Sequence, residues 1–269
     1  MKIGIVGANG FVGRHLCSKF LKQGCTVYAI VHNTSSNIPA GCVVSPIGNL
    51  SKVKFDYLFI AIGNHSQTIE QYTKQLIVLQ SIIKLKYKKI IYVSSTAVYG
   101  RHNDIINVNS SYNNSSLYGY SKLAEELLIK STGKYSIIRP TYIYGPGMNV
   151  NSLLPNWINA ANKHKKITVL GNGSRIQDYI FIDDLIDLCD IVAKNDNDNS
   201  TILAATGISI SNHDLAILIS KFYSDVNIQL FDTDNTPSFE YDITNQFNWI
   251  PKYSIHDGLK IMINANSNI

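Results

Sequence analysis

Apolar positions along the chain alternate between two rhythms. KIGIV (2–6) is a short apolar run followed by glycines, which predicts a buried strand. FVGRHLCSKFLKQG (11–24) carries apolar residues at helical spacing and predicts a helix capped at Gly24. TVYAIV (26–31) and DYLFIAI (56–62) predict further strands, and a long helical stretch over 66–85 follows the second. KIIYVSS (89–95), a helix over about 118–131 and YSIIRP (135–140) continue the alternation. Near-continuous apolar strands alternating with helices predict an α/β fold, a parallel sheet covered on both faces.

The texture changes after Pro140. TYIYGPG (141–147) is turn-rich, and SLLPNWINAANKHKK (152–166) predicts a helix with Pro155 in its first turn. DYIFIDDLIDLCDIVAK (178–194) predicts a strand leading into a helix with Asp183 as its N-cap. NDNDNS (195–200) is a short polar loop. TILAAT (201–206) predicts a strand, 211–223 a helix, and shorter mixed elements follow. The chain shows neither an internal repeat nor a linker long enough to separate independent domains.

Composition narrows the classes. A chain of 269 residues, 45% hydrophobic and 16% charged, is long enough to bury a sizeable core. The net charge of 24 − 19 = +5 suits a small anionic ligand and falls short of a nucleic-acid footprint. The basic runs KLKYKK (84–89) and KHKK (163–166) read as solvated helix ends and loops. Cys17, Cys25, Cys42 and Cys189 show no CxxC spacing and no accompanying histidine cluster, so neither a metal site nor a disulfide framework is expected. The N-terminus lacks a long apolar signal segment, and no run approaches the roughly 18 apolar residues that cross a membrane. A reducing cytoplasm is the expected setting.

The first chemical signal is GANGFVG, with Gly7, Gly10 and Gly13 three residues apart between a strand and a helix. The first glycine permits a tight turn, the second lets a pyrophosphate approach, and the third lets helix pack on strand. The helix N-terminus offers N–H groups and a positive dipole to phosphates. Gly7, Asn9, Gly10, Phe11, Val12 and Gly13 are therefore the candidate dinucleotide loop. An acid at the end of the second strand would bind the ribose hydroxyls of NAD. That end reads AIVHN, with His32 and Asn33 and no carboxylate. Arg14 and His32 suit a 2′-phosphate, so NADP(H) is expected in preference to NAD(H). The other reading of Arg14 is a solvent-facing helix residue.

The second signal is LYGYSK (117–122). Tyr118 and Lys122 are four residues apart and share a helix face. Tyr120 lies about 200° around the helix from Tyr118. A phenol is a poor base at neutral pH, and a nearby ammonium lowers its pKa. YVSSTAVYG (92–100) supplies hydroxyls in Ser94, Ser95 and Thr96 that could hold a substrate oxygen against the phenol.

In these motifs the sequence resembles the extended short-chain dehydrogenases/reductases, the NAD(P)-dependent epimerase/dehydratase group acting on nucleotide sugars. The carriers are GANGFVG, DYLFIAIG, VSSTAVYG, YGYSK, IIRPTYIYGPG, GNGSRIQDYIFIDDL and DITNQFNWIP, in that order over nearly the whole chain. The resemblance implies a Rossmann-type doubly wound sheet over 1–145 and about 178–206. It implies a small substrate-binding lobe over 146–177 and 207–269. It makes Tyr118 the catalytic tyrosine, Ser95 the catalytic hydroxyl, and Lys122 a lysine that also holds the nicotinamide ribose. Ile47 falls near the adenine. Ala61, Ile62 and Gly63 run along the cofactor, and Thr141 and Tyr142 lie at the cofactor–substrate junction.

Three departures stand out. The 4,6-dehydratases carry an Asp-Glu pair where this chain has Thr96 and Ala97, which argues against that elimination and leaves Thr96 as a substrate contact. The family's diphosphate-binding arginine is replaced by Gln177, with Arg175 two residues earlier as its substitute. The chain is also shorter than many relatives, with the loss in the substrate lobe. The implied activity is epimerisation or reduction of a nucleotide-activated (4-keto) sugar. The alternative is a non-catalytic NADP-binding sensor of the same fold. A homodimer through the helices over 66–85 and 118–131 is implied as well.

Overall fold

The computed structural model describes residues 1–31, 36–63, 68–113, 116–195, 199–244 and 249–267. Its strands are β1 (Lys2–Val6), β2 (Thr26–Val31), β3 (Val43–Pro46), β4 (Lys54–Ile60), β5 (Lys86–Val93), β6 (Tyr135–Pro140), β7 (Tyr142–Tyr144), β8 (Lys166–Leu170), β9 (Ile176–Phe181), β10 (Ser200–Ala204), β11 (Ser209–Ser211) and β12 (Asn227–Phe231). Its helices are α1 (Phe11–Lys22), α2 (Ile69–Ile82), α3 (Leu117–Lys130), α4 (Leu153–His164), α5 (Ile182–Lys194), α6 (Asn212–Ser220) and α7 (Ile255–Ser267).

The chain divides into two compact units. The first takes Met1–Arg101, Val108–Pro140 and Leu185–Ala204. Its seven-stranded sheet has the order β10-β6-β5-β4-β1-β2-β3, and every neighbouring pair is parallel. The strand order reverses between β1 and β4, the switch point where such sheets bind ligands beyond the strand ends. This is the covered parallel sheet expected of the alternating pattern, and it is of the Rossmann type that the resemblance implies. Burial on both faces explains the apolar runs: Lys89–Val93 of β5 are all buried. Lys89 fits because its Nζ donates to the carbonyls of Val192 and Asn195 at 3.0 and 2.9 Å, at the end of α5.

Local chemistry sets the helix ends. α1 stops at Lys22, where Gly24 takes φ +73°. Gly24 N–H bonds Leu21 O and Cys25 N–H bonds Phe20 O, the Schellman pattern that satisfies the last carbonyls. The helix expected over 66–85 begins only at Ile69 and ends at Ile82.

The second unit takes His102–Asn107, Thr141–Asp184 and Ala205–Ile269. In its three-stranded sheet β9 runs parallel to β7 and antiparallel to β11, and β8 pairs in parallel with β12. β9 therefore belongs to the small sheet, and the chain returns to the large unit at Leu185 rather than at 178. Asp183 is in the first turn of α5, not at its cap, because β9 runs to Phe181 and the helix opens at Ile182. The carboxylates of Asp183 and Asp184 there suit the helix dipole. Asp184 also accepts from the backbone N–H of Lys252 and Tyr253 at 2.9 and 3.1 Å. The helix expected to reach 166 ends at His164, because Lys165 turns left-handed at φ 51° and opens β8.

Candidate active site

The glycine loop joins β1 to α1 at the switch point. Gly7 has φ +80°, and a Cβ there would lie 2.4 Å from Ala61 O. A Cβ on Gly13 would lie 2.0 Å from Gly7 O, so helix and turn touch backbone to backbone. A Cβ on Gly10 would meet only Gly7 O, at 3.2 Å, which leaves its outer side open. Gly10 caps α1 without a side-chain bond, and no acid stands in the first turn. The N–H groups of Phe11, Val12 and Gly13 therefore have no intrahelical acceptor and form the positive end of the dipole. This cradle fits a dinucleotide pyrophosphate. Asn9 lies in the turn and Arg14 in the first turn of the helix, half-buried, with its Nε 3.4 Å from Gly10 O. His32 and Asn33 lie outside the described residues. Ile47 opens a 3-10 turn after β3 and packs against the core under the sheet. Ala61, Ile62 and Gly63 follow β4, where Ala61 N–H bonds Val6 O at 3.0 Å.

Beside this loop the ends of β4 and β5 meet α3. Ser116 caps α3 by accepting from Gly119 N–H at 3.1 Å, which sets Tyr118 in the first turn. Ser95 and Thr96 follow β5, and Ser95 Oγ accepts from Ala97 N–H at 3.1 Å as Thr96 opens a 3-10 turn. The structure brings Ser95, Tyr118 and Lys122 together. Tyr118 lies near enough to Ser95 for that hydroxyl to favour its phenolate, and Lys122 Nζ lies 5.9 Å from the centre of the Tyr118 ring. Tyr120 is 54% exposed on the other side of the helix.

The ammonium of Lys122 turns inward. It donates to Ile62 O at 2.7 Å, Tyr92 Oη at 3.0 Å and Glu125 Oε2 at 3.2 Å. Burial pushes the Lys122 pKa down, against the pull of Glu125. The expected lowering of the phenol's pKa is not what this geometry gives. Burial pushes Tyr118 up to about 12, and the Ser95 hydroxyl offsets only part of that. Tyr118 is thus a protonated phenol. Glu125, Tyr92 and the neighbouring pair Glu126–Arg139 were not anticipated from sequence. Glu125 and Glu126 stand three and four residues after Lys122, on its own face, and that spacing carried the signal.

In the second unit Thr141 Oγ1 donates to Asp178 Oδ1 at 2.8 Å. Asp178 also accepts from Thr206 and Gly207, so this buried carboxylate ties β9 to the start of β11's loop. The rings of Tyr142 and Tyr179 meet edge-on, 5.1 Å apart. Arg175 and Gln177 come together. With its amide oxygen toward Arg175, Gln177 accepts from both Nη atoms at 3.0 Å. Arg175 Nε donates to Pro237 O at 3.3 Å.

A Rossmann sheet with a glycine turn at its switch point and a Tyr-x-x-x-Lys helix beside it defines a short-chain dehydrogenase/reductase. The sequence profile of the NAD dependent epimerase/dehydratase family matches residues 3–204, and the chain belongs to that family. The chain is 29% identical over 262 residues to a dTDP-D-glucose 4,6-dehydratase of Dictyostelium discoideum, covering 80% of this chain and 60% of that one. It is 24% identical over 236 residues to a GDP-6-deoxy-D-talose 4-dehydrogenase of Aggregatibacter actinomycetemcomitans, covering 82% and 80%. Among solved structures, a UDP-glucose 4-epimerase of Thermotoga maritima superposes with a TM-score of 0.88 at 19% identity, over 100% of this chain and 99% of that one. MoeE5 in complex with UDP-glucose and NAD superposes at 0.85 and 17% identity, over 100% and 99%. Among the described residues no helix is long and apolar enough to cross a membrane.

Proposed function

We propose that the protein catalyses hydride exchange at a carbon of a nucleotide-activated 4-keto sugar, as an epimerase or a reductase. The observation that carries this reading is the grouping of the Tyr118 phenol with the Ser95 hydroxyl and the Lys122 ammonium. A nicotinamide dinucleotide bound at the glycine loop supplies or takes the hydride. Tyr118 gives its proton to the keto oxygen on reduction and recovers it on oxidation. Ser95 hydrogen-bonds the same oxygen and fixes it against the phenol. Thr96 and Ala97 carry no carboxylate, which speaks against elimination through that position. The resemblance gives Thr96 in the first unit as a sugar contact, and in the second unit Thr141 and Tyr142 as contacts at the cofactor–substrate junction and Arg175 with Gln177 as diphosphate contacts.

Within this reading the cofactor is NADP(H) in preference to NAD(H), on the absence of an acid at the end of β2 and the presence of Arg14. The protein works in the cytoplasm, with its cysteines as free thiols. It acts as a homodimer, in which a second copy covers Ile69, Ile77 and Leu127, apolar and exposed on α2 and α3. The sensor alternative has less support, because the relatives above carry the names of enzymes and Ser95, Tyr118 and Lys122 are all present.

The test is a panel of nucleotide-activated sugars and their 4-keto forms, read by cofactor fluorescence and by mass spectrometry. Net loss of NADPH signal identifies a reductase, and a changed sugar with no net cofactor use identifies an epimerase. Cofactor binding without turnover of any sugar would overturn the proposal in favour of the sensor.

A further inference from the structure

We propose that Glu125 and Tyr92 are positioning residues for Lys122. With the Ile62 carbonyl they accept from its ammonium and set its place before a cofactor binds, and Glu125 supplies the counter-charge that keeps the buried amine an ammonium. The inference rests on Lys122 being part of the site proposed above.

The geometry is a closed triangle. An ammonium has three donors, and Ile62 O, Tyr92 Oη and Glu125 Oε2 accept them at 2.7, 3.0 and 3.2 Å. Tyr92 Oη in turn donates to Glu125 Oε2 in a short hydrogen bond. The other oxygen, Glu125 Oε1, accepts from Gln75 Nε2 at 2.7 Å. Lys122 and Glu125 are each 1% exposed and Tyr92 is fully buried, so water replaces none of these contacts.

Among the described residues two carboxylates favour the charged form of Lys122, Glu125 first and Glu126 after it. From its own helix Lys122 faces Tyr118, Glu125 and Glu126. β5 contributes Tyr92, whose burial holds its phenol protonated. The end of β4 contributes only a carbonyl, and α2 contributes the neutral Gln75 and, near Tyr118, Tyr72. Glu126 is taken up by Arg139 through two hydrogen bonds. A buried amine with no counter-ion sheds its proton. Lys122 lies 5.9 Å from the Tyr118 ring centre, so the charge that Tyr118 senses depends on Glu125.

The experiment follows the Cε resonance of Lys122 in full-length protein labelled with [ε-13C]lysine, assigned by its loss in Lys122→Arg. Wild-type Lys122 is expected at the ammonium position at pH 7. In Glu125→Gln its titration midpoint should fall by at least one pH unit, a tenfold change in acid constant. Glu125→Asp, which keeps the charge, should stay closer to wild type, and the surface variant Glu70→Gln should leave the midpoint unmoved. The alkaline limb of kcat in Glu125→Gln should move down with the resonance, and turnover should recover on acidification. A wild-type Lys122 that is neutral at pH 7 would overturn the proposal without any variant having to fold. An equal midpoint in Glu125→Gln and wild type, or equal midpoints in the Gln and Asp variants, would overturn it as well. The resonance is read without turnover, so a failed sugar screen overturns the proposed function and not this inference.

Discussion

Arg139 and Glu126 meet edge to edge, Nε donating to Oε1 at 2.9 Å and Nη2 to Oε2 at 2.6 Å, each side chain 1% exposed. Nη1 and Nη2 also reach Tyr99 Oη at 2.9 Å and Tyr112 Oη at 2.7 Å, and Ser94 Oγ donates to Glu126 at 2.6 Å. One pair thus ties β6 and the end of β5 to the helix that carries Tyr118 and Lys122. Removing one member leaves a buried charge unpaired, which costs about 3–5 kcal/mol. Glu126→Gln should lower unfolding stability in urea by that amount. Replacing both with apolar residues, Glu126→Leu with Arg139→Met, should recover most of it. A loss under about 1 kcal/mol in the single variant would show that the pair contributes little.

Tyr118→Phe keeps the ring packed against its neighbours and removes the proton donor. Turnover should fall by roughly 10²–10⁴, the range for general acid–base groups. Tyr120, 54% exposed and on the far side of α3, should tolerate the same change with turnover near wild type. Steady-state rates of both variants decide it, and greater damage from Tyr120→Phe would contradict the face assignment.

The pH profile separates the two directions of reaction. Oxidation of a sugar hydroxyl releases a proton, so the ratio of the two rate constants must change tenfold per pH unit. The phenol's pKa decides which direction carries that change. With Tyr118 pushed up to about 12, its acid form is fully present across the physiological range and its base form is scarce. Between pH 6 and 8, kcat/KM for keto-sugar reduction should be level, while kcat/KM for oxidation should climb about tenfold per unit. A level oxidation rate with a falling reduction rate would place the phenol's pKa below this window.

The parts of this architecture that a sequence discloses are the local ones. β1, β2 and β6 were readable to the residue, because each is an apolar run bounded by polar, glycine or proline residues. β3 was missed: it is four residues at the sheet edge, with Val43 and Val44 about half exposed, so no burial pattern marks it. β7 and β11 are three residues each, too short to show a period. β8 hid because Lys165 turns left-handed inside a basic run that reads as helix. That Tyr118 and Lys122 share a face of α3 was legible from helical spacing, and the glycine loop and the hydroxyls after β5 singled the pair out. Tyr92 and Arg139 were not, since each stands in an apolar strand and its partner is distant in sequence. Glu125 and Glu126 carried the right spacing, yet charged residues on a helix read first as solvent-facing.

The glycine loop separates folding from binding. A Cβ at Gly13 meets the backbone of the turn, 2.0 Å from Gly7 O and 2.8 Å from Ala8 Cα. Backbone cannot swing aside, so Gly13→Ala should lower Tm and weaken dinucleotide binding together. A Cβ at Gly10 meets only Gly7 O at 3.2 Å. Gly10→Ala should hold Tm near wild type while cofactor affinity drops at least tenfold, about 1.4 kcal/mol. Calorimetry with NADPH and NADH, beside thermal melts, reads both quantities. Undiminished affinity in Gly10→Ala would place the pyrophosphate elsewhere. The same titrations on wild type and Arg14→Ala test the cofactor preference, and equal wild-type affinities for NADPH and NADH would remove the role given to Arg14.

Arg175 is the remaining cation of interest, because the diphosphate of a nucleotide sugar favours a charged donor and Gln177 is an amide. The two side chains already touch: the Gln177 oxygen accepts from both Nη atoms of Arg175 at 3.0 Å, and Pro237 O takes Nε at 3.3 Å. Gln177 is buried while Arg175 is half-buried, so the amide holds a guanidinium that keeps some access to solvent. Gly171 and Gly173, with φ of +62° and +75°, fold the loop that presents it. Arg175→Ala should raise the KM of the nucleotide sugar at least tenfold, about 1.4 kcal/mol of binding, while cofactor affinity stays near wild type. Adding Gln177→Arg to that variant should recover part of the loss, since the new guanidinium starts from the neighbouring strand position. Steady-state kinetics on the active sugar, with cofactor calorimetry alongside, separate the two effects. An unchanged KM in Arg175→Ala would remove this loop from phosphate binding, and a parallel loss of cofactor affinity would show that the change disturbs the fold rather than the substrate.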